Sequence, residues 1–251
     1  VIHLDGSGDG AVVLDGIEGN TEKVNYSKLI PITSGLVSWI DCREGSGTDV
    51  IAKDKTTNGN DLHLGNFDFT KDVWTDEGIR IHGSRVGGQT ILNNLTYQKS
   101  ISTFRSICIY LEKLNNITPS YLLDLRDSNN TSLSGYVYTE GSGTVINTQR
   151  VFVNGTRQYS IDINTLPNSN NVIYIETVTN VNNVLPTILS RYSKNECMDA
   201  ILKSVLIYDR VLTDEEILHN YNYEMTKSFR LQSSFEEKVN DEGKYEIEIL
   251  S

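Results

Sequence analysis

The chain has 251 residues, 38% of them hydrophobic, which is enough to bury a sizeable core and suits one β-sandwich as well as two smaller domains. Its 33 acidic residues against 22 basic ones leave a net charge of -11, and no basic run interrupts that balance, so nucleic acid and anionic membrane surfaces are excluded as partners. No apolar stretch approaches the roughly 20 residues of a membrane-crossing helix, and the opening residues do not read as a signal peptide.

Short apolar runs rich in Val, Ile, Leu and Tyr, punctuated by Gly, Asn, Asp and Ser, predict an all-β protein. Residues 1–30 carry Gly6-Ser7-Gly8-Asp9-Gly10 and a short apolar run at Ala11–Leu14, a texture unlike that of the central two hundred or so residues. The predicted strands are then Leu36–Asp41, Gly78–His82, Thr103–Leu111, Tyr121–Arg126, Gly135–Thr139, Asn171–Val178 and Ala200–Tyr208. Within Phe104–Tyr110 alternation gives way to a continuous apolar run, which predicts a strand covered on both faces. Val151-Phe152-Val153-Asn154-Gly155-Thr156-Arg157-Gln158-Tyr159 predicts a tight hairpin, because Asn-Gly tolerates positive φ at both central positions of a type I′ turn. A helix is predicted from about Asp214 to Met225. Thr213 and Glu216 form a capping box in front of it, and Ile217, Leu218, Tyr221 and Met225 recur at helical spacing. The chain closes on the alternating run Tyr245–Ile249. The expected division is therefore a flanking segment over 1–30, a sandwich over 31–228 and a flanking strand over 229–251, the ends belonging to a neighbouring module. Glu-Gly-Ser-Gly-Thr occurs twice, at Glu44–Thr48 and Glu140–Thr144, and reads as two similar turns.

Catalytic chemistry is not legible. Glu176 stands alone and reads as a solvated strand residue, while Asp124 and Asp127, three apart, face opposite ways on a strand. Glu246 and Glu248 share the face opposite Tyr245, Ile247 and Ile249, the pattern of an outward polar face. His3, His63, His82 and His219 form no HExxH motif, and Gly45-Ser46-Gly47 lacks the strand–elbow–helix setting of a serine hydrolase. Cys42, Cys108 and Cys197 are odd in number and far apart, without metal or disulfide spacing; Cys108, inside an apolar run, reads as a buried thiol. The chain is expected not to be an enzyme.

Two binding chemistries remain. Asp54-Lys55-Thr56-Thr57-Asn58-Gly59-Asn60-Asp61 gathers hard oxygen ligands around a glycine turn, as a Ca2+ site does; the same residues also suit an Asx-rich turn whose side chains bond their own backbone. A sugar site needs exposed aromatics beside polar groups. Trp74, Tyr97, Tyr159 and Tyr192 lie near polar loops, with Asn195 close to Tyr192.

Five segments in order resemble a known family. Leu36-Val37-Ser38-Trp39-Ile40-Asp41, Asp54 through Leu62, and Gly78-Ile79-Arg80-Ile81-His82-Gly83 look like the opening of a concanavalin A-like, or laminin-G-like, jelly roll. The Val151–Gln158 hairpin and the closing run from Met198 to Ile217 are similar to later elements of that family. The resemblance covers roughly 36–225 and implies a two-sheet β-sandwich with one short C-terminal helix. It also adds Asp199 to Asp54, Asn58 and Asn60 as ligands of a single Ca2+. The family includes glucanases, but their Glu-x-Asp-x-x-Glu pattern is absent. Ile17–Glu22 and Lys244–Ser251 resemble segments that bracket modules in bacteriophage tail proteins. Together these imply a non-catalytic adhesion module of a phage tail or surface fibre that recognises a bacterial surface polysaccharide. Its other partners would be virion proteins or further copies of itself. The implied location is the virion, or else a secreted or bacterial cell-surface setting. The competing expectation is a purely structural module without a glycan ligand.

Overall fold

The computed structural model describes residues 3–4, 12–13, 30–69, 73–83, 93–116, 120–126, 135–138, 148–192, 196–232, 235–239 and 245–249. The chain divides into two compact units, one formed by the ends, Val1–Pro31 with Asn222–Ser251, the other by Ile32–Tyr221.

In the end unit β1 (His3–Leu4) pairs antiparallel with β2 (Val12–Val13). In the larger unit the chain order is β3 (Leu36–Asp41), β4 (Ile51–Ala52), β5 (Leu62–Gly65), β6 (Trp74–Thr75), β7 (Gly78–Ile81), β8 (Asn94–Tyr97) and β9 (Ile101–Lys113). There follow β10 (Tyr121–Asp124), β11 (Tyr136–Tyr138), β12 (Thr148–Val153), β13 (Thr156–Gln158), β14 (Asn170–Val184), β15 (Thr187–Ile188) and β16 (Ala200–Tyr208). They form two antiparallel sheets. The smaller runs β11-β10-β15-β8-β5-β4; the larger runs β13-β12-β14-β9-β16-β7-β6, with β3 also paired to β16. The helix α1 spans Asp214–Gln232, so it continues beyond the expected end at Met225, and the division between the units falls inside it. Finally β17 (Phe235–Val239) pairs with β18 (Tyr245–Ile249), and β18 pairs with β1 through Glu246 opposite His3. The two end segments thus join in one four-stranded sheet.

The core explains the long apolar runs. Register places Ile109 beside Ile173 and Val205, and Cys108 beside Tyr174 and Leu206. Because strand side chains alternate, one face carries Ile107, Ile109, Leu111, Ile173, Ile175, Val205 and Ile207 into a core shared with Leu62, Leu64, Leu95, Leu122 and Ile188 of the smaller sheet. The other face carries Cys108, Tyr110, Phe152, Tyr174, Leu206 and Tyr208 into a second cluster with Leu212 and with Ile217 of α1. A central strand with apolar partners on both faces is apolar over the covered stretch, as Ile107–Leu111 is. Each such Ile or Leu contributes about 1.5–3 kcal/mol through burial.

Local chemistry fixes the remaining elements. Asn154 and Gly155 take φ of 51° and 74°, the positive pair that a type I′ hairpin between β12 and β13 requires. The Asn154 Oδ1 accepts from the Val172 N–H at 2.9 Å, which ties the turn to β14. At the start of α1 the Glu216 carboxylate accepts from the Thr213 N–H at 2.9 Å, and the Thr213 hydroxyl accepts from the Glu216 N–H at 3.3 Å.

Candidate functional site

The Asx-rich turn is closed on itself. Asp54 Oδ1 accepts from the N–H groups of Trp39 and Thr56, both at 2.9 Å. Its Oδ2 accepts from the Thr56 hydroxyl at 2.7 Å and the Asn60 N–H at 2.8 Å. Four bonds fill the roughly four acceptor directions of a carboxylate. Asn58 and Asn60 turn their amide NH2 groups onto the Val37 carbonyl, at 3.0 and 2.7 Å. Asp199 is not part of this cluster. Asp54 bridges to Ile40, which pairs with Val205, and Asp199 lies six residues from Val205, roughly 20 Å at strand rise. Its carboxylate instead meets Arg80 and Asn115, each at 2.5 Å. The fourfold Ca2+ set suggested by resemblance is therefore not assembled. No group of three His, Cys, Asp or Glu among the described residues is placed to hold a metal ion.

The four candidate aromatics have four different fates. Tyr97 is a core residue, 1% exposed, with its hydroxyl 3.2 Å from Ser38 Oγ and its pKa pushed up by burial. It sits on β8, an interior strand of the smaller sheet, and cannot reach a ligand. Trp74 lies over Gly45, where a Cβ would come within 2.2 Å of the ring, and its indole N–H donates to the Asp49 carbonyl at 2.8 Å. It covers the core and holds the first Glu-Gly-Ser-Gly-Thr turn in place. Tyr192 lies between the guanidiniums of Arg126 and Arg191, 5.0 and 5.6 Å from its ring centre, and both also approach the Tyr121 ring. Arg126 is clamped bidentately by the buried Asp124 at 2.9 and 2.6 Å, and the Tyr192 N–H also donates to Asp124. Asn195, with Asp127 and the second Glu-Gly-Ser-Gly-Thr segment, lies outside the described residues.

Tyr159 is the one that faces open solvent. Its side chain is fully exposed just beyond β13, an edge strand whose residues Thr156, Arg157 and Gln158 are all exposed. With Gln149, Arg157 and Gln158 it lines an open depression of about 480 Å³. Gln149 is held from behind, its amide oxygen accepting from Arg105 at 3.1 Å. A flat ring beside two amides and a guanidinium is a stacking surface with hydrogen-bonding groups at its margin. The hairpin motif placed Arg157, Gln158 and Tyr159 together in the sequence. The contribution of Gln149 came from strand pairing and had no local signal.

The carboxylates also depart from expectation. Glu176 is wholly buried rather than solvated, because β14 is covered on both faces. Its Oε2 accepts from Arg150 at 2.7 Å and from the Tyr174 hydroxyl at 3.3 Å. Glu77 and Glu112, distant in sequence, both reach the buried Lys203 ammonium, at 2.7 and 3.4 Å. Burial and the neighbouring Glu77 carboxyl raise the Glu112 pKa. A carboxylate pair thus exists where none was legible.

Neither a protein-family model nor a curated protein matches the chain. Among solved structures, the chain is similar to Trypanosoma rangeli sialidase in complex with the inhibitor DANA, at 10% identity over 80% of this chain and 35% of that one, with a TM-score of 0.48. It is likewise similar to Trypanosoma rangeli sialidase, at 10% identity over 78% and 33% and a TM-score of 0.45. The complex of that sialidase with sialic acid matches at 12% identity over 77% and 34%, with a TM-score of 0.41. The chain spans about a third of the length of these structures. These structures are of a sialidase, an enzyme, which stands against the expectation that no enzyme would be found.

Proposed function

We propose that this chain is a lectin-like jelly roll that binds an extended saccharide at the Tyr159 depression. The observation that supports this is a fully exposed tyrosine ring flanked by Gln149, Arg157 and Gln158. The apolar C–H face of a sugar ring can lie on the tyrosine while the flanking side chains bond its hydroxyls. A depression this open covers one face of a sugar and leaves little surplus after ordering costs. Several copies on one particle would raise avidity by roughly 10²–10⁴ without a new contact. A bacterial surface polysaccharide on the one side and a phage tail or surface fibre on the other is the setting in which such repetition works. That setting rests on the resemblance at Ile17–Glu22 and Lys244–Ser251, and it carries with it the virion, or a secreted or cell-surface location, and other tail proteins or copies of this chain as partners.

A glycan array probed with a multimerised form of the 251-residue chain tests the reading. Binding to a bacterial polysaccharide that disappears in Tyr159→Ala is the expected result. Should Tyr159→Ala bind as the parent does, the depression is not the site. If no glycan is bound at all, a purely structural module takes over.

A further inference from the structure

We infer that the saccharide taken at the Tyr159 depression is anionic, a polysaccharide whose sugars carry carboxylate, phosphate or sulfate groups. The inference rests on reading the depression as a saccharide site, and three observations carry it further.

The first is charge. The chain carries a net -11, yet among the described lining residues there is no carboxylate, and the one charged group is the Arg157 guanidinium, exposed on the edge strand. The second is the orientation of Gln149. A guanidinium has donors and no acceptor, so the 3.1 Å contact from Arg105 fixes the Gln149 amide oxygen inward and leaves its NH2 as the end available to a ligand. The third is Arg105 itself. Its side chain is only 12% exposed, and its Nη1 is buried without a hydrogen-bond partner. Its nearest acid is Glu176, whose Oε1 lies 3.6 Å away while Oε2 is bonded by Arg150 at 2.7 Å. A second guanidinium, paired with Glu176 and with its Nη1 unbonded, therefore stands behind Gln149.

The depression thus presents donors. Among the described lining residues Arg157 and Gln149 offer N–H groups, and the free acceptors are the Gln158 amide oxygen and the Tyr159 hydroxyl. A neutral sugar hydroxyl both donates and accepts and would use half of such a surface. A carboxylate, phosphate or sulfate only accepts, and a guanidinium fits its paired oxygens with two parallel bonds. The overall charge of the chain repels polyanions at a distance. Binding of an acidic polymer would therefore be a property of this site and not of the surface at large.

The test uses the full chain over surfaces of polygalacturonate, dextran sulfate and neutral dextran, at about 50 and 500 mM salt, a range over which exposed charge pairs are screened. Retention on at least one acidic polymer at low salt is expected, about tenfold tighter than on dextran and weakened at high salt. Preference for polygalacturonate would identify the carboxylate as the recognised group; preference for dextran sulfate would identify a sulfate- or phosphate-type oxyanion. Arg157→Gln should lose about tenfold on the acidic polymer with an unchanged thermal midpoint, and Tyr159→Ala should lose binding to all three. Equal retention on dextran, no retention on either acidic polymer, or an Arg157→Gln variant indistinguishable from the parent would each overturn the anionic class. If Arg157→Gln is neutral but Tyr159→Ala still abolishes binding to dextran, the depression stands as a saccharide site and only the charge preference falls. A Tyr159→Ala chain that binds normally removes the site itself.

Discussion

The Asp54 turn and the Asn154–Gly155 hairpin are built from the same residue types, yet they leave their polar groups in opposite states. In the first, every oxygen of Asp54 is taken by a protein donor, and Asn58 and Asn60 both bond one backbone carbonyl. In the second, Asn154 is occupied in fixing the hairpin to β14, and the strand beyond it ends at the sheet edge. There Arg157, Gln158 and Tyr159 meet no further strand among the described residues. The difference lies in the surroundings of each turn. A turn that packs onto β3, as the Asp54 turn does by bridging Ile40, must satisfy its polar groups internally, because a buried unmet donor or acceptor costs about 1–3 kcal/mol. A turn that feeds an edge strand can leave side chains to water or to a ligand.

The largest effect should come from opening the closed turn. Asp54→Ala removes four acceptor bonds at once and leaves the Trp39 and Asn60 N–H groups unmet. A loss of about 3 kcal/mol is expected, a fall of about 6–12 °C in the thermal midpoint. In the parent chain, millimolar Ca2+ against chelator should leave the midpoint where it is; a rise that Asp54→Ala abolishes would return the turn to the role of a metal site. The hairpin should respond less. Asn154→Ala places a Cβ-only side chain at a φ of 51° and removes the bond to the Val172 N–H, for about 1–2 kcal/mol in a denaturant titration.

A third closed cluster, the cap of α1, sharpens the comparison through pH. The bond from Arg210, and with it the Thr213 N–H, holds the Glu216 carboxyl below its usual range. A depressed carboxyl pKa stabilises the fold above the ordinary carboxylate range and loses that contribution as pH falls through the folded-state value. Stability should therefore drop on acidification below the ordinary carboxylate range, and Glu216→Gln should flatten part of that drop. At neutral pH the cost of the substitution should be about 1 kcal/mol or less, since the pair is partly solvated. Smallest of all is the open edge. Tyr159→Ala should change stability by less than about 0.5 kcal/mol while saccharide binding is lost. A large destabilisation there would mean that Tyr159 supports the hairpin and that the two turns are not opposites.

How far the sequence was readable depends on the same physics. The strands Leu36–Asp41 and Ala200–Tyr208 were legible to the residue because their apolar runs are bounded by turn residues. The hairpin and the cap were legible because both are set by contacts within a few residues. Glu176 misread as solvated, since its burial depends on Arg150 from the neighbouring β12 and on Tyr174. Tyr97 and Tyr159 could not be told apart, both being tyrosines beside polar loops; an interior strand buried one and an edge strand exposed the other.

Alternation, turn chemistry and capping are local, and with them the sequence determined by itself an all-β protein, its main strands, its hairpin and the start of its helix. Which carboxylates meet which cations, and which aromatic ring faces water, depend on strand order and register between segments tens of residues apart. Those pairings decided that Asp54 and Asp199 stay apart, that Glu77 and Glu112 share Lys203, and that Gln149 stands beside Tyr159 with Arg105 behind it. Side-chain chemistry is written residue by residue, but burial and neighbourhood are properties of the packed sheets.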